Sequence, residues 1–296
     1  MLHITNGTSV SLRDSGLGGD VLAWLDVLHE GPVPAGLDPG ELTRLRAHFL
    51  GVGDQLARRD AAIEDLTRHD EVTLWFEHDL YDQLQLIQIL DRLRPRAGGH
   101  TRLTLICIDR YLGPLTGAQL AEQWPQRHTV TADEFELAEA AWSAFRSADP
   151  MDIAIILGRD TSALPFLRGA LVRHLQQFPS VENGLARSER QILELVRDGN
   201  RTFRDLFVAD QALEERIFMG DTTFERYVRG LCDCRRPLLE ERHGGYRLTE
   251  AGRDVLGRRA DHVRLNGINR WLGGVHLFGD EVLWRWHEGS QRIVRH

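Results

Sequence analysis

Residues 1–180 predict a Rossmann-like α/β domain, a parallel sheet with flanking helices, and the residues after them predict a winged helix-turn-helix-like α+β domain. Three observations carry this. Short apolar or β-branched runs at 2–5 (LHIT), 21–26 (VLAWLD), 71–76 (EVTLWF) and 101–108 (TRLTLICI) are bounded by turn residues. The segments between them have helical period, and such alternation builds a parallel sheet covered by helices. Beyond residue 180, three helical patterns precede two strand-like runs around a glycine turn, the order of a winged helix.

Each N-terminal element follows from its residues. A fifth, weaker strand is expected at 127–130, then a helix at 132–146 whose Phe135, Ala138, Ala141, Trp142 and Phe145 fall on one stripe. Asp133 and Glu134 suit the positive end of that helix. Asp149-Pro150 reads as a helix start, and residues 164–177 as another amphipathic helix before the break at Phe178-Pro179-Ser180. This divides the chain into 1–180, an α/β ligand-binding or catalytic domain; 181–262, winged-helix-like; and 263–296, a tryptophan-rich β-hairpin tail.

In the second part, Ser188 is the expected cap of a helix to Arg197, Thr202–Phe207 a short second helix, and Asp221 or Thr222 the cap of a third with Phe224, Tyr227, Val228 and Leu231 inward. Its outward face is expected to show Thr223, Arg226 and Arg229, with Arg226 and Arg229 the candidate nucleic-acid contacts. Acidic and basic residues nearly balance over 183–262, which is poor for a DNA reader. Residues 237–242 and 246–249 form the wing, and Thr249 starts a further helix. Trp271, Trp284 and Trp286 sit in the tail, where residues 283–286 and 291–294 pair around Glu288-Gly289-Ser290 as a packing module.

Composition excludes several chemistries. The net charge of −8 gives no global attraction to nucleic acid, and all 36 basic residues are arginine. Without lysine there is neither a Schiff-base amine nor a complete Walker A loop. The three cysteines, Cys107, Cys232 and Cys234, are an odd number without a leader, so reduced thiols are expected. No segment approaches the ~18 apolar residues of a membrane span, so a soluble, cytoplasmic protein without a membrane partner is the expectation.

The chemistry gathers after the strands. In open α/β sheets, ligands bind outside the carboxyl ends of the strands, and four expected strands end in Thr5-Asn6-Gly7-Thr8, in Asp26 with His29 and Glu30, in Glu77-His78-Asp79, and in Asp109. The first loop is expected to turn into a helix whose free N–H groups, with Gly7 and the hydroxyls, suit a phosphate or carboxylate; a plain helix-capped turn is the competing reading. Gly31-Pro32-Val33-Pro34 fixes the backbone beside His29 and Glu30. Asp79 is the expected cap of a helix from Leu80, which leaves Glu77, His78 and, in the first turn, Asp82 for acid–base work or a divalent cation; an arginine partner for Glu77 is the bland alternative. No HxxxH or CxxC spacing enforces a metal. The expected catalytic set is Glu77, His78, His29 and Glu30. The expected ligand-binding set is Thr5, Asn6, Gly7, Thr8, Asp26, Asp79, Asp82 and Asp109.

The segments LHITNGTS, VLHEGPVP, LWFEHDLYDQLQL, AWSAFRSADP, LPFL and FPSVENGLARSERQIL, with the tail RADHVRLNGINRWLGGVHL, resemble an uncharacterised bacterial family catalogued as domain of unknown function 1835. The resemblance covers most of residues 1–200 and brings no activity with it. Similar sequences carry Asp where this chain has Thr8, which implies that an acidic group there is dispensable. The leading expectation is a protein that binds a phosphate-bearing or nucleotide-like small molecule and hydrolyses it or transfers a group. The alternatives are a ligand-responsive winged-helix regulator that binds DNA without catalysis, and a protein-interaction scaffold. The sequence does not fix the oligomeric state.

Overall fold

The computed structural model describes residues 1–64, 66–96, 99–197, 199 and 201–296, except for the side chain at 96. The chain divides into two compact units: Met1–Leu171 with Gly273–Val275, and Val172–Leu272 with His276–His296.

The first unit opens with β1 (Leu2–Thr5), β2 (Asp20–Ala23) and the two-residue β3 (Gly31–Pro32). Two helices follow, α1 (Pro39–Leu50) and α2 (Gln55–Glu64). Next come β4 (Glu71–Phe76), α3 (Leu80–Leu93), β5 (Arg102–Cys107), α4 (Gly117–Gln123), β6 (His128–Thr129), α5 (Ala132–Arg146) and α6 (Met151–Leu157). The sheet order is β2-β1-β4-β5-β6, with β2, β1, β4 and β5 parallel. β6 pairs antiparallel to β5 through Leu105 and His128, so the expected fifth strand exists but runs the other way. The chain goes from β1 outward to β2, then crosses back to β4 on the other side of β1. The carboxyl ends of β1 and β4 therefore flank the point where the strand order reverses, the usual ligand crevice of such sheets.

β4 is buried from Val72 to Phe76, as a strand covered on both faces must be. On one face Trp75 packs with Val10, Leu12, Ile106, Leu112 and Leu120, and its Nε1–H donates to His3 Nδ1 at 3.0 Å. α3 packs against β4 and α5. α5 begins at a capping box, Thr131 with Glu134, in addition to the acidic first turn expected there. α1 starts at Asp38 and Glu41 in the same way. Gly273–Val275 joins this unit by a close backbone approach: the Gly274 N–H donates to the Phe145 carbonyl, and a Cβ at Gly274 would lie 1.8 Å from the Arg146 carbonyl oxygen.

α7 (Leu167–Leu175) leads from the first unit to the second. There α8 (Arg187–Arg197), α9 (Phe203–Gln211) and α10 (Asp221–Cys232) precede the antiparallel hairpin of β7 (Leu239–Arg242) and β8 (Gly245–Leu248). Three helices and a wing are the expected elements. His243 and Gly244 both take positive φ, 53° and 73°, as a two-residue hairpin turn requires. The phenyl rings of Phe203, Phe207 and Phe224 meet at 5.3–6.4 Å in the core. α11 (Glu250–Leu256) is capped by Thr249 as expected. Then come α12 (His262–Asn266), β9 (Ile268–Gly273), β10 (Val275–Gly279), β11 (Trp284–His287) and β12 (Arg292–Arg295), the last two paired antiparallel.

Two capping expectations need correction. Ser188 lies inside α8, where its Oγ accepts from Arg173 at 2.8 Å, while Glu189 accepts the Ala186 N–H. α10 starts after Gly220 with no side-chain cap, Asp221 Oδ1 accepting from the N–H and hydroxyl of the adjacent Thr222. No helix among the described residues is long and apolar enough to cross a membrane.

Candidate functional site

The site is built by the loops after β1, β4 and β5. Asp79 takes an extended backbone conformation, and its Oδ1 accepts the N–H groups of Tyr81 and Asp82 at 2.9 and 3.2 Å, so it starts α3 where the sequence placed it. This start sets Asp82 one turn on, facing back toward the strand ends. Asp82 Oδ1 accepts the Glu77 N–H at 2.8 Å, and Oδ2 accepts from Asn6 Nδ2, across from the end of β1, at 2.7 Å. Glu77 Oε1 in turn accepts the Leu112 N–H from the loop after β5 at 2.7 Å. Gln83 Nε2 donates to the Glu77 carbonyl at 2.6 Å and fixes the backbone at the strand end. One carboxylate oxygen from each of Glu77, Asp79 and Asp82 lies within 4.8 Å of the others, and all three residues are buried.

These three carboxylates have hydrogen-bond donors but, among the described residues, no arginine partner, so the ion pair offered as the bland role for Glu77 is not formed. Burial pushes the Glu77 carboxyl above its ordinary range. Burial, reinforced by the neighbouring Glu77 charge, pushes Asp79 up to about 7. Asp82 is raised well above the usual carboxylate range by burial and by the charges of Asp79 and Glu77. Removing a charge from water without a counter-ion costs several kcal/mol, so at neutral pH such groups hold protons or a cation.

Several other acids of the interior are treated differently, although Asp210, raised to about 7 by burial, also has no salt bridge among the described residues. Glu214 meets Arg173 at 2.7 Å, Asp261 meets Arg285 at 2.6 Å and Glu189 is bonded to Arg270. Asp26, expected as a ligand residue, follows that pattern. It lies past the end of β2, fully buried, 2.8 Å from Arg46 and 3.8 Å from Arg59. Arg46 also donates to the carbonyls of Val27 and Glu30 at 2.8 and 2.6 Å. Asp26 and Arg46 together hold the loop that carries His29 and Glu30; they form the scaffold of the site.

The other expected residues spread outward from the carboxylates. His29 is buried, its ring edge-on to Tyr81 at 6.0 Å, and the Tyr81 hydroxyl donates to the Asn6 carbonyl at 3.3 Å. Glu30 contributes its backbone carbonyl to Arg46 and is half-buried. The His78 ring sits 4.8 Å from Tyr111 and 6.1 Å from Phe166, and its Nε2 is 3.9 Å from Asp109. The Asp109 side chain is 69% exposed, so it stands at the rim. Thr5 is buried with its hydroxyl donating to the Gly7 carbonyl at 2.9 Å, and Thr8 is exposed. No α-helix follows the Thr5–Ser9 loop, only a single helical turn at Leu12–Asp14, so the expected free helix N–H groups are not there. The helix N-terminus at the site is that of α3, already occupied by Asp79. The structure thus brings together Asn6, Glu77, Asp79 and Asp82, sets His29 and His78 beside them through Tyr81 and Tyr111, and removes Asp26 and Thr8.

Sequence reasoning missed Gln83, the Leu112 N–H and the packing role of Tyr81. Gln83 and Tyr81 lie in the first turn of α3, where any residue facing back toward the strand end meets the site. The Leu112 amide has no signal in its side chain.

In the second unit Arg226 and Arg229 are exposed on α10, but Thr223, expected beside them, is buried. Arg229 is paired with Glu225 at 2.8 Å, and Arg242 and Arg247 of the hairpin are both paired with Glu240 at 3.1 and 2.6 Å. Neighbouring carboxylates offset much of the positive charge that a phosphate backbone would need.

No protein-family model matches the chain, and no curated protein is similar to it.

Proposed function

We propose that the first unit binds a phosphate-bearing or nucleotide-like small molecule in the crevice between the carboxyl ends of β1 and β4, and that it hydrolyses the ligand or transfers a group from it. The observation that carries this reading is the treatment of Glu77, Asp79 and Asp82. A chain rich in arginine pairs many of its interior acids and leaves these three clustered, with no basic partner among the described residues, at the point where the strand order reverses. A scaffold gains nothing from this arrangement, whereas a site that exchanges protons near neutral pH needs it. Asp79, held near 7, and Glu77 beside it are the carboxyls that exchange a proton when no cation occupies them. Asn6 orients Asp82, and Gly7 leaves room for a ligand to approach the backbone. His78 with Tyr111, and His29 with Tyr81, form aromatic walls on which a ring can stack. The paired arginines of α10 and the hairpin favour this reading over DNA-binding regulation.

The test is a thermal-shift survey of phosphate esters and nucleotides with the wild type and Glu77→Gln. Glutamine can keep the bond from Leu112 while losing the charge. At least one compound is expected to raise the melting temperature of the wild type and to be turned over, with Glu77→Gln slower by ~10²–10⁴, the usual contribution of a general acid or base. A panel without effect on the wild type, or turnover untouched by the variant, would overturn the proposal.

A further inference from the structure

We propose that Glu77, Asp79, Asp82 and Asn6 form a site for one divalent cation of the Mg²⁺ or Mn²⁺ class, and that a phosphate-bearing ligand of the adjoining crevice is held through this ion. The inference rests on the reading of that crevice as the functional site and names what brings an anion to it. A phosphate facing three carboxylates is repelled unless a cation stands between them.

Four observations carry it. First, one oxygen from each carboxylate lies within 4.8 Å of the others. Two oxygens on opposite sides of a Mg²⁺ ion are about 4.2 Å apart, at roughly 2.1 Å each, so small side-chain rotations close the site. Second, a fourth oxygen is waiting. Asn6 is only 8% exposed and its Oδ1 is buried with no hydrogen-bond partner, although its own amide nitrogen donates to Asp82 at 2.7 Å. Oδ1 belongs to the same rigid amide as the nitrogen bonded to Asp82. A buried acceptor left without a donor is destabilising, and a cation removes that penalty. Third, no arginine among the described residues neutralises the cluster. Fourth, the donors are all oxygen, which selects Mg²⁺, Mn²⁺ or Ca²⁺ over the softer metals. The nearby Cys107 sulfur lies outside the cluster, engaged with Gln83 Nε2 at 3.4 Å and the Glu77 carbonyl at 3.6 Å. Three carboxylates and an amide fill four positions of an octahedron, and the remaining two are open to phosphate oxygens or water, the usual way Mg²⁺ is shared between protein and ligand.

The groups that face the cluster are Asn6, Tyr81, Gln83 and the Leu112 amide, with His78 and His29 at its edges.

The experiment is calorimetric titration of the full chain with Mn²⁺ alone at near-neutral pH. The expected result is one Mn²⁺ per chain. Asp79→Asn keeps the oxygen that caps α3 and should weaken binding by at least about tenfold, as should Glu77→Gln; circular dichroism checks that each is folded. Glu139→Gln, an exposed carboxylate paired with Arg94 away from the cluster, should change nothing. The absence of Mn²⁺ or Mg²⁺ binding at millimolar concentration, or binding indifferent to both cluster variants, overturns the proposal. Adding inorganic phosphate or a nucleotide separates the two readings. If Mn²⁺ binds but no phosphate compound alters its affinity, the cation site stands and the phosphate reading of the crevice falls. If such compounds bind the wild type without any cation and lose binding in Glu77→Gln, the crevice reading stands and the cation site falls.

Discussion

Asp26→Ala should destabilise the first unit by about 3–5 kcal/mol, the usual cost of removing one partner from a buried ion pair. Asp26 and Arg46 are each 1% exposed and 2.8 Å apart, with Arg59 3.8 Å from the second carboxylate oxygen. Without Asp26, Arg46 keeps only backbone carbonyls, those of Val27, Glu30 and Pro32, and none of these carries a full negative charge. Arg59 retains Asp60 at 2.7 Å and the face of Trp24 at 4.0 Å, so the loss falls mainly on Arg46. At about 2–4 °C per kcal/mol for a unit of this size, the melting temperature should drop by roughly 6–20 °C. The loop that carries His29 is held by Arg46, so ligand binding should weaken as well. Urea unfolding measures it: a loss below about 1 kcal/mol would mean that Arg46 is satisfied without Asp26 and that the loop has another anchor.

Asp79→Asn should have the opposite sign. A carboxyl whose pKa is higher in the folded than in the unfolded chain is held protonated by the fold. The resulting penalty is absent below about pH 4, grows as the pH rises through the folded pKa and is complete above it. Asp79 moves from 3.8 to about 7 on folding, and one unit is worth about 1.4 kcal/mol, so the penalty above pH 7 is on the order of 4 kcal/mol and belongs to the cluster as a whole. The side-chain oxygen of the substituted asparagine can still accept from the N–H groups of Tyr81 and Asp82, while its amide replaces a repelling charge. The variant should therefore be more stable than the wild type at about pH 8 and lose that advantage toward about pH 4. The difference between the two proteins is the quantity to follow, because other groups titrate in the same window. His174, fully buried and pushed down to about 3, works in the opposite direction, since its neutral form loses stability as the pH falls from 6.5 toward 3. Asp210, raised to about 7 by burial, acts in the same direction as Asp79. Both cancel in the difference. A variant less stable than the wild type at the upper pH would show that Asp79 is a structural cap and nothing more.

What the sequence revealed and what it hid divide along a physical line. β1 and β4 were legible because LHIT and EVTLWF are apolar runs that only a buried strand accommodates, α3 because Asp79 announces a helix at its cap, and α5 because Phe135, Ala138, Ala141, Trp142 and Phe145 fall on one stripe behind Asp133 and Glu134. Glu77, Asp79 and Asp82 were legible as a group for the same local reason. The fate of Asp26 was not. Its partners, Arg46 and Arg59, lie on α1 and α2, and nothing in the spacing shows that these arginines turn inward. Thr223 was expected outward from helical period, yet it is 9% exposed, because the packing of α10 covers more of its circumference than one stripe. Ser188 suits a cap by residue type, but tertiary bonds from Arg173 and to Gln177 claimed its hydroxyl. The reversed β6 has only two paired residues, too few to carry a directional signal.

The central claim is that ligands bind between the carboxyl ends of β1 and β4. The direct measurement is the position of electron density in a crystal of the protein soaked with the phosphate compound that most raises its melting temperature. The account predicts that compound within hydrogen-bonding reach of the Asn6–Gly7 loop, beside Glu77 and Asp79, with its ring against Tyr111 or Tyr81. Density at the opposite edge of the sheet, or in the second unit, would contradict it.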